Sequence, residues 1–278
     1  MKDAVRRNQE IYNAPGVTAY YGALDYLTQC ERLLFETYIP VGSSILDLGV
    51  GGGRTTRFLS QGAARYLGID NAPAMIEACR TKFPGLDFRV GDAADLSSFA
   101  PASFDVVVFA FNGIDFVLPE AARRSFLKHS ERVLKPGGTL IFSSHNARAI
   151  MVRPSWNRER LERIAQRFSA GSKGAQFALL TALIPPRIIL ACGQALTATL
   201  RRAVKRLPTS TFWRGYGEWT DSAHGGLFTH YSVPKQVVAE VNAVHLRCDR
   251  IVGNEYPRSG HSLTTDWYYY VFVKPIKK

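Results

Sequence analysis

The short apolar run Ile45-Leu46-Asp47-Leu48 passes directly into Gly49-Val50-Gly51-Gly52-Gly53, and then into a stretch of helical character from Arg54 to Ser60. A strand that turns through glycines into a helix constrains the fold more than any other feature of this chain. Glycine tolerates positive φ and lets a ligand approach the backbone. The following helix start leaves unpaired N–H groups facing that ligand. The spacing also discriminates between ligands. The glycines stand at 49, 51 and 53, whereas a dinucleotide fingerprint would place the third at position 54, which is Arg54. Asp47, two residues before the first glycine, would sit badly beside a pyrophosphate and suits a ligand with a positive amino group.

The surrounding pattern predicts where this unit belongs. Ala23 to Ile39 reads as a helix, Ser43 to Leu48 as a strand, and Tyr66 to Asp70 as a second strand. Pro73 to Phe83 reads as a helix, Leu86 to Val90 as the third strand, and Phe104 to Phe111 as a continuously apolar fourth. Pro119 to Leu134 reads as a helix, Lys135-Pro136-Gly137-Gly138 as a turn, and Thr139 to Ser143 as the fifth strand. Strand–helix alternation of this kind predicts a doubly wound α/β sheet with right-handed crossovers. After an irregular stretch, a helix is predicted from Val233 to Val244, with strands near Leu246 to Tyr256 and from Trp267 to Val273.

Two further acids follow the glycine loop at strand ends. Asp70 closes the second strand, where an acid can hold ribose hydroxyls, and Asp92 follows the third in Gly91-Asp92-Ala93. A helix N-cap explains any one of these acids as well as ligand binding does. All three at one rim of the sheet, after such a loop, favour the ligand.

On these residues the chain resembles the class I S-adenosylmethionine-dependent methyltransferases. The resemblance covers residues 41–145 and rests on Leu46 to Gly53, Gly68-Ile69-Asp70, Gly91-Asp92-Ala93, Phe104-Asp105-Val106-Val107 and Leu134-Lys135-Pro136-Gly137-Gly138. It implies a Rossmann-like, seven-stranded sheet whose last strand is antiparallel, and S-adenosylmethionine as cofactor. It implies that Asp47, Gly49, Gly51 and Gly53 cradle the methionine portion, that Asp70 with Asn71 meets the ribose, and that Asp92 and Ala93 lie near the adenine. Phe111 or Asn112 would flank the methionine end, and Tyr20 or Tyr21 would close over the cofactor.

The expected organisation is an N-terminal helical cap (1–40), the cofactor-binding core (41–146), a basic and mostly helical insertion (147–228) between the fifth and sixth strands, and a C-terminal helix with an antiparallel strand pair (229–278). The chain's formal charge is +12, and the insertion carries 13 Lys/Arg against 4 Asp/Glu. That balance favours anionic partners. Within the insertion Leu196, Leu200, Val204 and Leu207 recur at helical spacing among Arg201, Arg202, Lys205 and Arg206, following the apolar run Phe177 to Leu200. The segment 177–207 is therefore expected either to dock on an anionic membrane surface or to pack as a lid. Pro185, Pro186, Arg187 and Gln194 argue against a spanning helix. No apolar leader is visible near Met1, and Cys30, Cys79, Cys192 and Cys248 have neither CxxC nor zinc spacing. A cytoplasmic location, with possible peripheral membrane association, and no metal are expected.

Methyl transfer needs in-line alignment, which can supply about 7–11 kcal/mol of the barrier. An oxygen acceptor also needs a base, and His145, at the end of the fifth strand, is the first candidate, with His230 the second. Asn112-Gly113-Ile114-Asp115 lacks the Pro-Pro of enzymes that methylate base amino groups, and no cysteine follows a proline, so nucleic acid is disfavoured. The reading is O-methylation of a small molecule, sugar or lipid-linked glycan. The alternatives are an RNA methyltransferase, an NAD-dependent oxidoreductase and a non-catalytic S-adenosylmethionine-binding protein.

Overall fold

The computed structural model describes residues 2–152, 216–220, 226–260, 262 and 265–276. The helices are α1 (Lys2–Tyr12), α2 (Pro15–Ala23), α3 (Gln29–Tyr38), α4 (Thr56–Ser60), α5 (Pro73–Lys82), α6 (Glu120–Val133), α7 (Ala147–Val152) and α8 (Pro234–Asn242), with a 3-10 turn at Gly113–Phe116. The strands are β1 (Ser44–Leu48), β2 (Arg65–Asp70), β3 (Asp87–Val90), β4 (Phe104–Phe109), β5 (Leu134–His145), β6 (Tyr216–Thr220), β7 (Phe228–Ser232), β8 (Arg247–Gly253) and β9 (Trp267–Val273).

The main sheet runs β3-β2-β1-β4-β5-β9-β8. Its first five members are parallel, and β9 runs antiparallel between β5 and β8. This is the expected Rossmann-like sheet with its last strand reversed. Alternate residues of each strand feed opposite faces. Leu46, Leu48, Val107 and Phe109 pack with Phe126 and Leu127 of α6 and Val237 and Val241 of α8. Ile45, Val106 and Val108 pack with Leu34 and Phe35 of α3 and Ile76 and Cys79 of α5.

Two local details differ from the sequence pattern. The helix expected from Ala23 begins at Gln29, because Thr28 and Glu31 form a reciprocal capping box that fixes its start. Residues 24–28 leave α2 in extended form, and Lys82 on α5 donates to the carbonyls of Gly22 and Leu24, covering the end of α2. The turn expected at 135–138 is an irregularity inside β5 instead. Gly137 has φ of 81°, its N–H donates to Lys274 O, and Lys274 N–H donates back to Gly138 O. At that same end Asp105 accepts from Ser44 N–H and pairs with Lys135, tying β1, β4 and β5 together away from the ligand rim.

The strands β6 and β7 pair antiparallel, and Ser232 bridges to Asn146 just past β5. The amide of Asn8 on α1 reads both backbone groups of Phe228, donating to its carbonyl at 2.7 Å and accepting its N–H at 2.9 Å. Gln9 donates to Asn71 O, and Asn13 accepts from Ala74 N–H. These bonds lay α1 across the rim where β1, β2 and β4 end. Residues 153–215, and with them the segment 177–207, lie outside the described residues. Among the described residues no helix is long and apolar enough to cross a membrane.

Candidate active site

The glycine loop is fixed by what surrounds it. Gly49 has φ of 60°, and a Cβ there would stand 2.4 Å from the ring of Phe109. Gly52 lies so close to α2 that a Cβ would meet the backbone of Tyr21 and Gly22. Glycine at 52 is thus what lets α2 close against the loop, and it brings Tyr21 to the ligand rim. Gly53 faces elsewhere, since its missing Cβ makes room for Phe83 and Cys79. The Cys79 thiol donates to Gly51 O at 3.0 Å, and burial pushes its pKa to about 12, so it braces the loop and stays protonated.

A cavity open to solvent lies above this rim. Asp47, Gly49, Gly51, Asp70, Asn71, Asp92, Ala93, Phe111 and Tyr21, all expected from sequence, line it. Gly53, Asn112, His145 and His230 do not. Asp70 holds the loop in place, accepting Gly51 N–H at 2.8 Å on one oxygen and Ala72 N–H at 2.9 Å on the other. Burial raises its pKa. Asp47 accepts from Thr55 Oγ1 and from the Tyr66 hydroxyl, and burial outweighs both bonds to lift its pKa to about 6. A buried acid that no cation contacts directly among the described residues, two positions before the first glycine, is chemically matched to an ammonium group.

Several lining residues carried no sequence signal. Val5 and Tyr12 arrive on α1, and Phe116 on the 3-10 turn. Arg54 also lines the cavity and is 6% exposed. Its guanidinium meets both oxygens of Glu31, donates to Tyr26 O, and lies 4.6 Å from the Phe111 ring centre. Glu31 is fully buried and accepts also from the Thr28 backbone and the Tyr269 hydroxyl. Burial alone would raise the Glu31 pKa. The hydrogen bonds and charge of Arg54 outweigh it and hold the carboxyl below its ordinary range. The Thr28-x-x-Glu31 pattern was the available sequence signal for this acid; nothing local pointed to Arg54 as its partner.

The two histidines sit differently. His145 ends β5 beside Asn112 and Asp115 of the turn that follows β4, with its ring centre 5.1 Å from that of Tyr231. Phe111 and Asn112 both take left-handed φ, at 55° and 63°, so that consecutive side chains diverge. Phe111 turns to the cavity and Asn112 to His145. His230 is buried at 4% exposure, hydrogen-bonds Ser232 Oγ, and faces a small internal cavity with Arg123 and Glu240. Burial, then the Arg123 charge, lowers its pKa to about 3. Among the described residues no three His, Cys, Asp or Glu side chains form a metal-binding group.

Five parallel strands with a glycine loop, acids at three strand ends and a cavity at that rim define a Rossmann-like nucleoside-ligand site. The comparisons narrow the class. Residues 45–138 match the family model of a methyltransferase domain. The chain is 31% identical over 105 residues to a demethylmenaquinone methyltransferase of Paenarthrobacter aurescens, covering 38% of this chain and 40% of that protein. It is 32% identical over 111 residues to a trans-aconitate 2-methyltransferase of Acidovorax sp., covering 39% and 41%. The chain therefore spans about two-fifths of the length of the curated relatives it matches. The fold is shared with an S-adenosylmethionine-dependent methyltransferase of Methanosarcina mazei, at 19% identity and a TM-score of 0.55 over 91% of this chain and all of that one. A second such structure, from Mesorhizobium loti, gives 15% identity and a TM-score of 0.54 over 87% and 96%. Residues 45–138 are thus similar to a methyltransferase domain, on a fold shared with S-adenosylmethionine-dependent methyltransferases.

The residues present fit that cofactor. Asp70 lines the cavity with one backbone N–H on each oxygen, which leaves acceptor capacity for ribose hydroxyls, and Ile69, Met75 and Ala93 offer an apolar wall for adenine. Asp47 fits the amino group, by the charge argument above. When bound, S-adenosylmethionine supplies an electrophilic methyl on a sulfonium.

Proposed function

We propose that this protein methylates a hydroxyl group of a small molecule, sugar or lipid-linked glycan, with His145 taking the hydroxyl proton. The observation that carries this reading is the placement of His145. It ends β5, touches the strained turn whose neighbours Phe111, Gly113 and Phe116 line the cofactor cavity, and is backed by a buried carboxylate. Asp47, Asp70 and the glycine loop hold the cofactor. Phe111 and Tyr21 orient its methionine end and limit water. With the bound cofactor supplying the methyl group, His145 would take the proton of the acceptor hydroxyl. His230 is buried, neutral and turned to a separate cavity, so the base role is assigned to His145 alone.

The curated relatives differ in the acceptors their names give, an aconitate in one and demethylmenaquinone in another, so none of these acceptors is carried over. Calorimetry with S-adenosylhomocysteine, followed by transfer of labelled methyl to a panel of free sugars and hydroxylated metabolites, tests the proposal. S-adenosylhomocysteine should bind, and His145→Ala should lower turnover about 10²–10⁴-fold with nearly unchanged cofactor affinity. Binding of NADH with none of S-adenosylhomocysteine would overturn the cofactor reading, and unchanged turnover in His145→Ala would remove the base.

A further inference from the structure

His145 is held at both ring nitrogens. Nδ1 lies 2.7 Å from Asp115 Oδ2, and Nε2 lies 3.2 Å from the Asn112 side-chain nitrogen. Asp115 is 1% exposed and does not face the cofactor cavity. The 3-10 turn at Gly113–Phe116 presents Gly113 and Phe116 to that cavity and Asp115 to β5. There its two oxygens also accept the Ser144 hydroxyl at 2.6 Å and the His145 backbone N–H at 2.7 Å. Every group facing this carboxylate in these contacts is thus a donor or must act as one.

We propose that Asp115 is a positioning residue, which fixes His145 with its proton on Nδ1 and leaves Nε2 as the proton-accepting nitrogen. This rests on His145 being the base. The short contact and one further observation support it. An unprotonated Nδ1 would face a carboxylate oxygen lone pair to lone pair at 2.7 Å, a repulsive arrangement inside the protein. The other nitrogen meets the Asn112 amide, whose N–H₂ group can donate only to a lone pair. Asn112 is 5% exposed, and its Oδ1 has no partner among the described residues, so the amide rests on Nε2 without being held from its other end. An acceptor hydroxyl reaching Nε2 takes the place of that amide. Second-partner hydrogen bonds commonly set which imidazole nitrogen carries the proton.

Long-range ¹H–¹⁵N spectra of the full chain carrying ¹⁵N-histidine test this without any acceptor, with His145→Gln identifying the resonance. In its neutral form the wild-type ring should show protonated Nδ1 and unprotonated Nε2. Asp115→Ala removes the acceptor from Nδ1, so the proton should no longer be confined there and Nε2–H should appear. Ser144→Ala removes a different bond to the same carboxylate and should leave the tautomer unchanged. A wild-type ring protonated on Nε2, or an Asp115→Ala ring that keeps its proton wholly on Nδ1, overturns the assignment; if Asp115→Ala does not fold, the wild-type spectrum alone decides. S-adenosylhomocysteine affinity, expected to stay within about twofold of wild type in all folded variants, reports separately on the cofactor reading. Its absence from wild type would sink that reading while leaving the tautomer result intact.

Discussion

Replacing Glu31 by Gln should destabilise the fold by about 3 kcal/mol, through the lost charge and the acceptor oxygen lost with it. Gln keeps the side-chain length and can still serve a capping box, so the start of α3 survives. What it removes is the anion opposite Arg54. Exposed ion pairs contribute about 0–1 kcal/mol, but here Glu31 is fully buried and Arg54 is 6% exposed. Stranding a buried charge typically costs about 3–5 kcal/mol. The low end applies because Arg54 keeps the Tyr26 carbonyl and the rings of Tyr26 and Phe111. At about 2–4 °C per kcal/mol for a protein of this size, the midpoint should fall by roughly 6–12 °C. Urea and thermal unfolding, followed by far-ultraviolet circular dichroism, measure this. The double variant Glu31→Gln/Arg54→Met removes both charges and should recover most of the loss. A single variant costing less than about 1 kcal/mol, or a double variant less stable than the single, would refute the argument that an unpaired guanidinium is the source.

Other predictions concern the cofactor rim. Gly52→Ala places a Cβ against the backbone of Tyr21 and Gly22, which cannot rotate away, so stability should drop by about 1–3 kcal/mol and S-adenosylhomocysteine should bind more weakly by calorimetry. Asp70→Asn turns one acceptor oxygen into an amide donor facing the Gly51 or Ala72 N–H, so it should weaken the same ligand by about 1.5–3 kcal/mol and lower the unfolding midpoint as well. Asp47 has its folded pKa raised to about 6, so the unfolded chain ionises first as pH rises from about 4, and folding loses stability across the window from there to about 6. Asp47→Asn should therefore raise the midpoint at pH 7 but not at pH 4, while S-adenosylhomocysteine affinity, which in wild type should climb as Asp47 ionises near pH 6, becomes flat across that range.

The sequence by itself determined the parallel core and the cofactor rim. Both rest on short-range patterns: apolar strands, a glycine turn, and acids one crossover apart. Once crossovers are right-handed and strands parallel, Asp47, Asp70 and Asp92 must emerge at the same edge. The capping box that shortens α3 was equally local, written in Thr28 and Glu31. Tertiary structure alone decided which side chains meet across long loops. Glu31 finds Arg54 and Tyr269, Asn8 finds Phe228, and Asp115 finds His145 only through the stacking of helices and the pairing of β5 with β9. No spacing rule encodes such partners, because each depends on the register and packing of elements far apart in the chain. For that reason the cofactor-binding acids were readable as residues, while the group that orients the candidate base emerged only when the turn after β4 folded back onto the end of β5.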